Sequence, residues 1–161
     1  MIFLTGFLCT GKSTVGKALA ARRNLPFTDL DTEIERLADL PVAEIFQRYG
    51  SERFRKLESE ALKTVQSGVV ACGGGTITIR ENLRWMRANG KILLLTATPT
   101  EIFKRLSSDY ARPLMGSAPT EMMVKRLLFA RACHYTQADL LIDTTNVNID
   151  TILERIDEHY Q

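Results

Sequence analysis

Gly6-Phe7-Leu8-Cys9-Thr10-Gly11-Lys12-Ser13 decides how this chain is read. Two glycines five residues apart, the second followed by Lys-Ser, form the pattern of a phosphate-binding loop, which has meaning only between a strand and a helix. Both flanks fit. Ile2 to Thr5 reads as a buried strand, and Thr14 to Arg23 puts Val15, Ala18 and Leu19 on one helical face. Gly6 and Gly11 allow backbone angles that side chains forbid. Such a loop aims successive N–H groups at phosphate oxygens, and the following helix adds its positive end. Cys9, Thr10, Gly11, Lys12, Ser13 and Thr14 are therefore the nucleotide-binding candidates. Lys12 would bridge the β- and γ-phosphates, and the Ser13 hydroxyl would hold Mg²⁺.

Outward from the loop, short apolar runs alternate with longer amphipathic stretches. Pro26 to Thr28, Val69 to Ala71, Lys91 to Thr96 and Leu140 to Ile142 read as further strands. Ile92-Leu93-Leu94-Leu95 is apolar throughout, which implies burial on both faces, as in a parallel sheet. Residues 32 to 49 read as helical with a break near Pro41, and Ser51 to Ser67 as a helix with Phe54, Leu57, Ala61 and Leu62 in its apolar stripe. Further helices are expected over Ile79 to Ala88, from Pro99 to about Leu106, over Glu121 to Thr136, and around Ile149, Ile152, Leu153 and Ile156. Ser107 to Pro119 carries Ser, Pro and Gly and reads as a loop. Five strands separated by helices predict a single three-layer α/β domain over residues 1–161, a parallel sheet flanked by helices. Ligands should gather at the carboxyl ends of its strands.

Two further motifs point to that edge. Asp29-Leu30-Asp31 follows the second strand, and alternate residues of an extended segment face the same way. One of the two carboxylates could then assist Mg²⁺ through water, and the other could accept a hydrogen bond from an acceptor hydroxyl or take its proton. The plainer account of Asp31 is a cap for the helix beginning at Thr32. Gly73-Gly74-Gly75 follows the third strand, where a tight turn needs fewer glycines. Three have no packing role there, but they let a ligand lie against bare backbone. Arginines are weaker signals. Arg55 pairs by spacing with Glu58, Arg105 and Arg131 read as ordinary helical residues, and Arg112 stands in the loop that would form a lid.

Taken together, these motifs resemble the shikimate kinase family of P-loop enzymes. The resemblance runs through Gly6 to Thr14, Phe27 to Asp31, Phe54-Arg55-Lys56-Leu57-Glu58, Gly73 to Gly75, Arg112-Pro113-Leu114, Arg131 with Tyr135 and Ala138, and Ile142-Asp143-Thr144. It implies transfer of the γ-phosphoryl group of ATP to the 3-hydroxyl of shikimate, a step of chorismate and aromatic amino acid biosynthesis. It implies Lys12, Asp31 and Arg112 as catalytic residues and Ser13 and Asp29 at the metal. Arg105 and Arg112 would bind ATP, with Arg105 against adenine. Asp31, Arg55, Gly73, Gly74 and Arg131 would hold the acceptor, in a region over residues 31–60 and the glycine turn, under a lid over 107–119. Cys9 stands where the family commonly has glycine, Ser51 where glutamate is frequent, Cys133-His134 where Pro-Leu is usual, and Ile149 where some members place a proline. Cys9 is expected to fit if its backbone angles are ordinary.

Composition excludes other classes. Lys and Arg number 21 against 19 Asp and Glu, a net charge of +2 that gives no footprint for nucleic acid or an anionic membrane. Three separated cysteines, Cys9, Cys72 and Cys133, make neither a disulfide framework nor a zinc site. No basic residue precedes the short apolar start, so no signal peptide is expected and the cytoplasm is the expected location, with the protein a monomer. Two alternatives remain at this point: a kinase for another small polyol acid such as gluconate, and an ATP-binding module without catalysis.

Overall fold

The computed structural model describes residues 1–107 and 120–160. The expected lid, with Arg112, lies outside the described residues except for Ser107. Among the described residues the chain forms five strands and seven α-helices. The strands are β1 (Ile2–Gly6), β2 (Phe27–Asp29), β3 (Val69–Ala71), β4 (Lys91–Thr96) and β5 (Leu140–Asp143). The helices are α1 (Lys12–Arg22), α2 (Leu30–Ala38), α3 (Val42–Thr64), α4 (Arg80–Asn89), α5 (Pro99–Ser107), α6 (Glu121–Tyr135) and α7 (Ile149–His159). A single 3-10 turn, Thr76–Thr78, follows the triple glycine.

All paired strands run parallel, in the order β2-β3-β1-β4-β5. The expected five-stranded parallel sheet is thus observed. Alternation of side chains divides the core between its two faces. Phe3, Val70, Ile92 and Leu94 pack with Ile34 of α2, with Phe54, Leu57, Ala61 and Leu62 of α3, and with Met86 of α4. Ile2, Leu4, Val69, Leu93 and Leu95 pack with Val15 and Leu19 of α1 and with Ile152, Leu153 and Ile156 of α7. Those two layers complete the three-layer architecture. A third cluster joins Phe7 and Leu8 to Ile102 and Leu106 of α5 and Val124 of α6. It anchors the phosphate loop to the helices on either side of the undescribed segment.

Two boundaries differ from the sequence reading for a local reason. The second helix begins at Leu30, not Thr32, because Asp29 caps it: its Oδ1 accepts from the Asp31 N–H at 3.1 Å. Asp31 therefore lies in the first helical turn and not on an extended strand. The helices expected to either side of Gly50 are joined across a kink, with Gly50 at φ 75°, ψ −179°. A Cβ there would meet nothing within 4 Å, so glycine serves the backbone angle and not space.

Candidate active site

The segments that leave the carboxyl ends of β1, β2, β3 and β5 line one cavity of about 890 Å³, large enough for a nucleotide and a small acceptor. The phosphate loop forms its floor. A Cβ on Gly6 would stand 2.2 Å from the Leu95 carbonyl oxygen, and Gly6 and Gly11 take φ 143° and 91°, so both positions require glycine. No side chain caps α1, which leaves its first N–H groups for an anion. Phe7 O accepts from Thr10 Oγ1 and from Lys12 Nζ, each at 2.8 Å. Cys9 does not have ordinary angles: it lies at φ 59°, a left-handed conformation that costs a residue with a Cβ about 1–2 kcal/mol.

Ser13 and Asp29 meet, as the sequence suggested, with Ser13 Oγ donating to Asp29 Oδ2 at 2.6 Å. One carboxylate thereby does two tasks, capping α2 and fixing the hydroxyl at the start of α1. Asp31 lines the same cavity, brought there by the helical turn. A hydroxyl and a carboxylate are the hard oxygen donors that Mg²⁺ prefers, in a site otherwise completed by water and phosphate. Among the described residues there is no group of three or more His, Cys, Asp or Glu that could hold a metal ion.

The glycine turn corrects one reading. Each of its residues does have a packing role, admitting a different polar side chain. A Cβ on Gly73 would lie 2.4 Å from Glu58 Oε1, one on Gly74 would lie 3.0 Å from Arg131 Nη1, and one on Gly75 would lie 2.5 Å from Arg55 Nη2. Arg55 donates to Glu58 Oε2 at 2.5 Å, and Glu58, fully buried, also accepts from Thr76 Oγ1 at 2.6 Å. The ion pair inferred from spacing is present, but it also fixes a guanidinium at the cavity wall, 5.2 Å from the Phe54 ring centroid. Arg131 lies 5.6 Å from the Phe7 ring centroid, and Tyr135, one turn on, donates to Gly74 O at 3.0 Å. Burial raises the Tyr135 pKa, which keeps that proton in place. Burial, then the Glu58 charge, likewise pushes the Cys72 thiol far up, so it is a packing group and not a nucleophile.

The glycine turn thus brings Arg55 and Arg131 together, and both line the cavity that Asp31 also lines. Arg105 sits across the loop, donating to Cys9 O at 3.1 Å and Thr144 O at 2.9 Å, with its Nε on Glu101 at 2.8 Å. Ile149 also lines the cavity. By spacing, Glu58 was legible as a helical partner of Arg55. Its stronger signal was a charged residue inside the apolar stripe of Phe54, Leu57, Ala61 and Leu62, where an unpaired carboxylate is not tolerated.

The Gly75 contact predicts a selective defect. Gly75 has φ −105°, so alanine is allowed by its backbone, and the atoms it would strike are the tip of a flexible side chain. Gly75→Ala should displace Arg55 and also lower the thermal midpoint, because buried Glu58 is then left with Thr76 in place of its ion pair. Loss of one charge-assisted hydrogen bond, about 1.5–3 kcal/mol, should raise the KM of a carboxylate acceptor about tenfold or more and leave the KM for ATP unchanged. Steady-state kinetics with each substrate varied in turn checks this.

Comparison with known proteins gives the same picture. The shikimate kinase family model matches residues 8–161. A shikimate kinase of Geobacter sulfurreducens is 42% identical over 96% of this chain and 87% of its own length. One from Caldanaerobacter subterraneus subsp. tengcongensis is 38% identical over 99% and 95%. Among solved structures, shikimate kinase from Bacteroides thetaiotaomicron superposes with a TM-score of 0.88 at 35% identity, covering 98% of this chain and 96% of that one. Shikimate kinase from Acinetobacter baumannii in complex with shikimate superposes with a TM-score of 0.92 at 30% identity, covering 98% and 90%. With a family model spanning nearly the whole sequence and the cavity built as described, the chain belongs to the shikimate kinase family.

Proposed function

We propose that this chain is a single P-loop kinase domain that transfers the γ-phosphoryl group of ATP to the 3-hydroxyl of shikimate, giving shikimate 3-phosphate and ADP. The observation that carries the reading is that Arg55 and Arg131, gathered at the glycine turn, line the same cavity as Asp31 and the phosphate loop. Shikimate offers a carboxylate at one end and hydroxyls at the other. Guanidinium forks suit the carboxylate, and Asp31 suits a hydroxyl. A gluconate-type acceptor shares the hydroxyls but not the ring that would lie against Phe46 and Phe54, whose ring centroids are 4.4 Å apart.

Transfer needs positioning and charge stabilisation more than covalent chemistry. The amides of the loop and Lys12 would hold the β- and γ-phosphates. Ser13 and Asp29 would hold Mg²⁺, which supplies positive charge at the phosphate oxygens. Asp31 would orient the attacking hydroxyl and accept its proton. Arg105 and Ile149, which both line the cavity, would face the nucleotide. Arg112, in the segment assigned to the lid, would meet the transferring group; that assignment rests on the family resemblance. Residues 31–60, which include α2 and the kink of α3, together with the glycine turn would bind the acceptor. Among the described residues no helix is long and apolar enough to cross a membrane, and a cytoplasmic monomer is the proposed state. A coupled assay of ADP release, run with shikimate, gluconate and nucleoside monophosphates, tests the reading. Release with shikimate alone is expected. Release with gluconate in its place, or ATP binding with no acceptor-dependent release, would overturn it.

A further inference from the structure

The phosphate loop is held from its outer side by Arg105 and by Thr144, which has no part in the chemistry proposed above. Cys9 O accepts from Arg105, and Thr10 O accepts from Thr144 Oγ1 at 3.2 Å. Thr144, just past β5, is buried. Arg105 reaches it twice, through Nη2 to its carbonyl at 2.9 Å and through Nη1 to its hydroxyl at 3.3 Å. The hydroxyl has one proton, shared between Thr10 O and Thr96 O, the latter at 2.9 Å. Thr96 O does not depend on it, because it also accepts the Thr144 N–H at 2.8 Å. The hydroxyl is therefore needed at the loop and not in the sheet.

In a planar trans peptide the carbonyl and the next N–H point in opposite directions. Drawing the carbonyls of Cys9 and Thr10 outward therefore aims the amides of Thr10 and Gly11 at the phosphate side. Cys9 is held left-handed at φ 59° within this span, and such a conformation persists only where its surroundings over-determine it.

We infer that Thr144 is a positioning residue for the nucleotide phosphates, acting through the Thr10 carbonyl and the Arg105 guanidinium to keep the loop amides aimed inward. The inference rests on the reading of the loop as an ATP site. Thr144→Val keeps the shape and removes the hydroxyl, and Thr144→Ser restores it. ADP affinity is measured by calorimetry on the full chain, with KM for ATP and for shikimate and the thermal midpoint alongside. Thr144→Val should weaken ADP about tenfold, roughly the worth of one hydrogen bond. It should raise the KM for ATP to match, leave the shikimate KM within about twofold, and recover in Thr144→Ser. Unchanged ADP affinity in Thr144→Val overturns the inference. So does an equal loss in both variants, or a fall in thermal midpoint with both KM values raised alike. ADP binding needs no acceptor, so a wild-type chain that binds ADP but ignores shikimate would fail the proposed function and leave this inference to be judged on its own.

Discussion

Lys12→Ala should lower kcat by about a thousandfold while the protein still folds. The loss has an electrostatic origin: Lys12 is the cation of the loop, and removing one preorganised donor from developing negative charge costs about 10²–10³ in rate. The intact fold follows from local bonding. Lys12 Nζ donates to Phe7 O, but that carbonyl also accepts from Thr10 Oγ1. Truncation therefore leaves the Phe7 carbonyl paired, and the side chain is only half-buried. ADP should still bind, since the backbone amides and the open end of α1 remain. The checks are kcat under saturating substrates, ADP affinity by calorimetry, and a thermal midpoint within a few degrees of wild type. A rate near wild type would remove Lys12 from the mechanism. A collapsed fold would mean that the Lys12–Phe7 bond is structural.

The phosphate loop was legible because its function demands unusual residues. Gly6 and Gly11 are required by backbone angle and by the Leu95 carbonyl, and a pattern of required residues survives in sequence. The sheet was legible for a related reason: stretches buried on both faces, such as Ile2 to Leu4 of β1 and Ile92 to Leu95 of β4, are continuously apolar. What escaped was set by long-range packing. Nothing local to Gly73-Gly74-Gly75 says that Glu58, Arg131 and Arg55 approach them, because those residues arrive from α3 and α6. Thr144 escaped for the same reason: its partners lie in the loop after β1 and in α5. Asp31 was placed at the right cavity by the wrong geometry, since Asp29 caps α2 and turns Asp31 inward on a helix.

That geometry sets the expected outcome of Asp31→Asn, a fall in kcat of about 10²–10⁴, the range for a lost general base. Asparagine keeps the size and can still accept a hydrogen bond from a hydroxyl, but it cannot take the proton. The backbone should not respond: the Asp31 contribution to the α2 cap is its N–H, which donates to Asp29 Oδ1 and is unchanged by the substitution. Asp29 and Ser13 keep their own bond, so ATP binding should be near wild type. The shikimate KM should rise by less than kcat falls, because the neutral amide still bonds a hydroxyl and Arg55 and Arg131 still hold the carboxylate. The split between kcat and KM is the deciding measurement. A large rise in KM with kcat preserved would make Asp31 a binding residue alone, with the proton leaving to solvent or to phosphate. Equal loss of ATP affinity would instead place Asp31 with Asp29 at the metal.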